Sequence, residues 1–442
     1  MKRLPAVSGF LKTSSLLMLA RIGGTGLGFV IQLALVRLMT PTDYGIYVVA
    51  LSLASVLSIF CAFGLPSVTA RFVAGYQEAG DGARVAGFIQ STKRHIAAIS
   101  LIFGLLAFGV LWSGFISTDY QMPLMLACLI APVLAAMRFG GALSNTARRF
   151  YLTYLPDVTF RPLLLVGSLL CIYVLAIPMT TANVLLVHLL TALAACCLLW
   201  VVLQPRRQFG LHGVQPASEN RTWRQAATPM ILVTLLTSFL ADIDVLLLSA
   251  FLPADQVGIF SVCLRIMLLI EFGIQTVFQM SMPDFAEARA RNDTTLMNAA
   301  MRHAQHMTFC FTLVALSGVA VFGEWLLLLF GERFTVGADA LLFLVVGQVV
   351  RSLFGPVTQV LTVAGAQMRS LVSYGIALFA LILGNALFVP LIGLEGAAAV
   401  LSFSMVLGAL FQAQAASQKI GLSVVSTFFS MSAAEEGLAD SR

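Results

Sequence analysis

The chain has 442 residues, 59% of them hydrophobic and 10% charged, with a mean hydropathy of +0.94 and a formal net charge of +6. A soluble domain carries about a quarter charged residues, and this much apolar surface cannot be hidden inside a compact water-soluble fold. Composition therefore excludes a soluble enzyme and leaves a polytopic membrane protein whose basic residues mark its cytoplasmic loops.

At about 20 apolar residues per spanning helix, the length allows roughly twelve spans joined by short loops. The chain opens with Lys2, Arg3 and Lys12 ahead of an apolar run over 14–38. That run is longer than a signal-peptide core and has no small-residue cleavage site, so it reads as a retained first span. Further spans are predicted near 44–65, 90–112, 121–143, 156–177, 183–204, 227–250, 257–282, 301–322, 339–363, 370–390 and 396–416. Loops on one side hold Arg71, Arg84, Lys93, Arg94, Arg148, Arg149, Arg206, Arg207, Arg221, Arg224, Arg289, Arg291, Arg302 and Arg369; those on the other hold mostly acids. This asymmetry places both termini in the cytoplasm.

The longest loop, over 204–225, lies at the midpoint and is polar and basic. It divides the chain into an N-lobe over 1–210, a connector over 211–225, a C-lobe over 226–420 and a cytoplasmic tail over 421–442. The halves read as a repeat. Pro41-Thr42-Asp43-Tyr44-Gly45-Ile46-Tyr47 comes after the first span, and Pro253-Ala254-Asp255-Gln256-Val257-Gly258-Ile259-Phe260 after the seventh. The fold class is thus all-α and polytopic, with about twelve transmembrane helices in two pseudo-symmetric six-helix lobes around a central cavity, where transporters built from repeats place their site.

Charges fall inside or near these spans: Arg21, Arg138, Arg161, Asp242, Asp244, Arg265, Glu271 and Arg351. Each costs about 2.5–3.5 kcal/mol at a helix centre on insertion scales, so each needs a wet cavity or a partner. Arg138 and Arg161 lie near span ends, which favours snorkelling to the interface. Helical spacing aligns Arg21, Gly24, Thr25, Gly28 and Gln32 in the first span. It also aligns Thr234, Ser238, Asp242 and Ser249 in the seventh, and Glu271, Gln275 and Gln279 in the eighth. Gln348, Arg351, Ser352, Gly355, Gln359 and Thr362 share a face of the tenth. Lipid-facing surfaces cannot be this polar, so these faces are expected to converge on a cavity. Arg21, Arg265 and Arg351 would bind an anionic group such as a diphosphate, which guanidinium holds bidentately. Asp242, Asp244 and Glu271 would pair those arginines or take up a proton or Na⁺. Gln32, Gln275, Gln348 and Gln359 are the neutral polar partners on these faces.

No residue carries catalysis in this reading, and no cofactor or metal is called for. None of the four lysines sits in a phosphate-binding loop, and the seven cysteines lie in apolar runs without C-x-x-C spacing. His188 stands alone in an apolar run and reads as a packed core residue.

The motif Pro41–Tyr47 resembles the opening motif of the polysaccharide-exporter (Wzx-type) lipid-linked oligosaccharide flippases, of the multidrug/oligosaccharidyl-lipid/polysaccharide exporter superfamily. Phe63-Gly64-Leu65-Pro66 with Arg71, Asp244, Gly258-Ile259-Phe260-Ser261 and Phe330-Gly331-Glu332-Arg333-Phe334 extend the resemblance over nearly the whole chain. It implies alternating access between two lobes in a bacterial inner membrane. Its implied cargo is an undecaprenyl-diphosphate-linked oligosaccharide moved toward the periplasm. The lipid bilayer, and in such a pathway a polysaccharide polymerase and a chain-length regulator, are the implied partners; nucleic acid is not. A cation-coupled multidrug antiporter of the same superfamily and a non-transporting accessory subunit of a polysaccharide synthase are the alternatives.

Overall fold

The computed structural model describes residues 23–24, 26–112, 118–238, 240–291, 293–364 and 366–420, together with Val424 and Phe428. All regular structure among them is helical. They form two compact units, one ending at Leu246 and the other beginning at Leu247. The first holds α1 (Gly26–Leu38), α2 (Pro41–Ala62), α3 (Leu65–Glu78), α4 (Gly82–Trp112), α5 (Thr118–Thr146), α6 (Phe150–Tyr154), α7 (Arg161–Val174), α8 (Thr181–Leu203), α9 (Pro205–Gln208), α10 (Asn220–Ser238) and most of α11 (Leu240–Leu248). The second holds α12 (Ala254–Met280), α13 (Met282–Arg291), α14 (Thr294–Leu328), α15 (Ala338–Ser352), α16 (Val357–Val363), α17 (Gln367–Ile392) and α18 (Leu394–Ile420).

Among the described residues, ten helices, some of them made of two successive segments, are long and apolar enough to cross a bilayer, or eleven when α10 and α11 count as one bent span. The span expected over 14–38 is described only from Gly23 onward, and α1 alone is too short to cross. Large apolar side chains such as Leu101, Leu105, Phe108 and Trp112 on α4 and Leu170 and Val174 on α7 are exposed. In water they would drive aggregation; beside acyl chains they meet a solvent as apolar as themselves.

Local chemistry sets the helix ends. Thr40 Oγ1 accepts the Asp43 amide at 3.1 Å, Pro41 occupies the first turn, and Asp43 adds an acid to the positive end of the helix dipole. Asp43 also fastens α8, because Thr181 Oγ1 donates to Asp43 Oδ1 at 2.8 Å. Thus the Pro-x-Asp motif ties two helix N-termini together. Tight helix contact elsewhere comes from small residues. In the first unit, α5 presents Ala127, Ala131, Ala135 and Gly140 while packing on α2, α3, α4 and α8. In the second, α18 packs on α15, α16 and α17, and a Cβ on Gly347 would lie 2.5 Å from Ser402 Cβ.

Three expected spans depart from uniform helices. Residues 156–177 begin in a π-helical stretch, Leu155–Phe160, which has Pro156 in its first turn and is followed by Pro162 at the start of α7. The span over 227–250 divides into α10 and α11, whose axes differ by 74°. The span over 339–363 ends at Ser352 and resumes at Val357, because Gly355 takes φ +65° and Pro356 cannot donate a backbone hydrogen bond. The polar stripes drawn through Asp242 and through Gly355 as single helical faces are therefore each interrupted.

The connector over 211–225 is fixed to the first unit. Ala217 N donates to Ala83 O at 2.9 Å, Arg84 pairs with Glu219 at 2.8 Å, and Tyr76 OH donates to Glu219 at 2.9 Å. Trp223 is buried against Phe88 and donates to Tyr76 OH at 3.0 Å.

Between α2 and α3 the chain turns through Phe63 and Gly64, with φ +51° and +67°. A Cβ on Gly64 would fall 2.3 Å from the Ala227 carbonyl oxygen on α10. Gly64→Ala is therefore expected to destabilise the protein by about 2–3 kcal/mol, from left-handed strain and the displaced α10 backbone. Gly167→Ala, where a Cβ would meet nothing within 4 Å, should be neutral or slightly stabilising. Thermal unfolding of the two variants in detergent compares them directly.

Candidate functional site

In the second unit, Glu271 and Gln275 lie one turn apart on α12. Glu271 forms an ion pair with Arg351 of α15, and Gln275 Nε2 donates to Glu271 Oε1 at 2.7 Å. Arg351 Nη1 also donates to Gln348 Oε1 at 3.4 Å, and Gln359 Nε2 of α16 reaches Gln275 Oε1 at 3.5 Å. Beyond this core, Thr358 Oγ1 donates to Gln412 Oε1 at 2.7 Å and lies 3.3 Å from Tyr374 OH. Five residues singled out from the sequence thus join one network: Glu271, Gln275, Gln348, Arg351 and Gln359. The break at Gly355–Pro356 is compatible with this, since α16 still delivers Gln359 to α12. The Arg351 and Glu271 side chains are 25% and 17% exposed. A buried charge pair of this kind is held by its hydrogen bonds as much as by Coulomb attraction.

Arg265 lies six residues before Glu271 on α12, about 9 Å along the axis. It is half-buried and forms no ion pair with a described residue. Asp242 and Asp244 belong to the first unit; Asp244 is fully buried, whereas Asp242 is half-buried and interacts electrostatically with Arg138. Gln32 accepts a hydrogen bond from Tyr44 OH at 2.8 Å. Arg21 lies outside the described residues.

The first unit contains a cavity of about 570 Å³ whose polar lining includes Arg138, Asn145, Tyr154, Asp157 and Arg161. The π-helical stretch supplies Asp157, and Arg161 Nη1 donates to Asp157 Oδ1 at 3.1 Å. Arg161 Nη2 lies 3.4 Å from His188 Nδ1, while His188 Nε2 lies 2.8 Å from Tyr47 OH. A guanidinium only donates, so toward Arg161 the His188 Nδ1 can serve only as an acceptor. Two sequence-based readings gain detail here. Arg138 and Arg161 border a cavity, and His188, buried as expected, is also a hydrogen-bonded member of a polar chain. No local pattern around His188 signals its contact with Tyr47, which joins residues 141 positions apart. Gly24 is fixed by a close approach, since a Cβ there would lie 2.3 Å from Val158 O in the π-helical stretch, whereas a Cβ on Gly23, Gly26 or Gly28 would meet nothing within 4 Å.

Guanidinium and amide groups of this kind donate hydrogen bonds to anionic or hydroxyl oxygens. Among the described residues, no group of three or more His, Cys, Asp or Glu side chains gathers as a metal site would require. The ion pair has a measurable signature. Glu271→Gln or Arg351→Met alone strands a charge and is expected to cost about 3–5 kcal/mol. The double variant Glu271→Gln/Arg351→Met should recover most of that loss, as thermal unfolding in detergent would record.

Residues 10–289 match the family model described as "Polysaccharide biosynthesis protein". No curated protein matches the sequence. Among solved structures, an inward-facing multidrug resistance MATE family transporter of the MOP superfamily is 15% identical, with a TM-score of 0.69 over 89% of this chain and 98% of that one. The lipid II flippase MurJ in its inward closed conformation is 13% identical, with a TM-score of 0.71 over 94% of this chain and 91% of that one. A MOP superfamily transporter from Pyrococcus furiosus, reported with a binding pocket of reverse polarity, is 13% identical, with a TM-score of 0.58 over 91% and 94%. The fold is that of the MOP superfamily transporters.

Proposed function

Because this chain belongs to the polysaccharide biosynthesis protein family, we propose that it is a flippase that carries an undecaprenyl-diphosphate-linked oligosaccharide between leaflets by alternating access. The direction is from the cytoplasmic to the periplasmic leaflet of a bacterial inner membrane, and no covalent bond is made or broken. The observation that carries this reading is the placement of guanidinium groups inside both units. Arg138 and Arg161 line a cavity of about 570 Å³, and Arg351 sits in a glutamine-rich network. A volume of this order can take a diphosphate group or a sugar unit of the cargo, and guanidinium binds the oxygens of a diphosphate in pairs.

Arg21, Arg265 and Arg351 bind the head group; within the first unit, Arg138 and Arg161 offer a further anion-binding surface. Gln32, Gln275, Gln348 and Gln359 hydrogen-bond the sugars. Glu271 neutralises Arg351 when no cargo is bound, and the diphosphate takes its place on loading. Asp242, Asp244 and Glu271 are where a proton or Na⁺ would couple to the cycle. The likeness to the lipid II flippase MurJ supports the flippase reading at the level of fold.

Reconstituted proteoliposomes loaded with a fluorescent undecaprenyl-diphosphate oligosaccharide test this. Arg161→Gln, Arg21→Ala and the Glu271→Gln/Arg351→Met double variant should each slow translocation about 10- to 100-fold, from ~1.5–3 kcal/mol per charge-assisted hydrogen bond. Arg291→Ala, on an exposed side chain, should leave the rate unchanged. Wild-type rates in all three variants at normal protein levels, or efficient uptake of a lipophilic cation instead, would overturn the proposal.

A further inference from the structure

A second cavity of about 570 Å³ lies in the first unit, apart from the one described above, and is lined by Arg149, Val201, Val202, Gln204, Arg207 and Gln208. Two reversals of the chain shape it. Arg148, with φ +57°, leads from α5 to α6, and Gln204, with φ +39°, separates α8 from α9. Non-glycine residues held in the left-handed region carry strain that the surrounding structure must support. Here the two turns bring Arg149 and Arg207 to one cavity.

Its chemistry is one-sided. No acidic side chain lines the cavity. Among the described residues, neither Arg149 nor Arg207 forms an ion pair. The positive charge continues nearby, with Lys93 Nζ 4.1 Å above the Trp200 ring and within reach of the Arg206 charge. The same cavity is lined by apolar Val201 and Val202, which are 65% and 41% exposed at the end of the α8 span. A lining that combines guanidinium and amide groups with exposed valines matches a molecule that is anionic at one end and hydrocarbon at the other. A soluble anion would leave the valines uncovered.

We propose that this cavity binds an anionic glycerophospholipid of the leaflet bordering the basic loops, with its phosphate on Arg149 and Arg207 and an acyl chain against Val201 and Val202. The lipid is a bound component of the first unit and not the transported cargo.

Native mass spectrometry and thermal unfolding of the full-length protein in detergent test this with phosphatidylglycerol, phosphatidylcholine, inorganic phosphate and undecaprenyl diphosphate as separate additions. Phosphatidylglycerol should be retained and should raise the unfolding temperature, whereas phosphatidylcholine should do neither. Arg149→Gln/Arg207→Gln should lower retention roughly tenfold or more. Arg149→Lys/Arg207→Lys should restore part of it, and Arg289→Gln, on an exposed arginine of α13, should not change it. Undiminished retention in the glutamine pair would overturn the proposal. So would equal protection by inorganic phosphate, or displacement of phosphatidylglycerol by undecaprenyl diphosphate at equal concentration. If the glutamine pair does not fold, loss of retention in the wild type on adding excess phosphatidylcholine would likewise overturn it.

Discussion

Inside a bilayer the solvent supplies no hydrogen-bond partners, so every polar group must find one within the protein. The pair formed by Glu271 and Arg351 meets this constraint most directly. Arg351 could not remain buried at low cost without the carboxylate, and Gln275 and Gln348 complete hydrogen bonds that the pair alone leaves open. Serine and threonine hydroxyls obey the same rule by turning back on their own helices, as Thr69 does to Leu65 O at 2.9 Å and Thr92 to Phe88 O at 2.9 Å. Many of the described polar residues thus either close upon their own helix or gather in clusters.

The first unit satisfies the same requirement differently. Its charges border a cavity, and the chain from Tyr47 through His188 and Arg161 to Asp157 joins α2, α8, α7 and the π-helical stretch. A π-helical turn adds a residue to the helix and rotates the next turns about its axis, and such turns often mark functional sites. Here it places Asp157 and Arg161 on the same cavity. Motif residues outside the cavity act as fasteners. Asp43 joins α2 to α8, and Phe330 and Phe334 are buried at a short 3₁₀ turn, Glu332–Gly337, where Cys263 Sγ donates to Gly337 O at 3.3 Å.

Much of this was legible from periodicity. The helical class came from hydropathy, and the Glu271–Gln275 and Gln348–Arg351 spacings identified two faces that meet. What periodicity could not supply was any contact between distant segments. His188 is flanked by apolar residues, and nothing near it announces Tyr47 or Arg161. The departures from straight helices had partial signals. Gly355-Pro356 carries a visible breaker pair, whereas the π-helical stretch shows only Pro156 and Pro162, which are equally common at ordinary helix starts. Arg138 and Arg161 looked terminal by counting residues. Whether such a side chain turns toward the headgroups or inward depends on a cavity that sequence does not display.

The fastened connector has a practical side. His212, Gly213, Gln215 and Pro216 are exposed, while Ala217 passes so close to α4 that a Cβ on Gly87 would lie 1.7 Å from its carbonyl oxygen. A fluorophore or epitope inserted over 212–216 would extend into water. The same insertion a few residues later would pry Glu219 and Trp223 from their seats. This short stretch is therefore the natural handle for surface attachment, imaging or antibody capture of the intact protein.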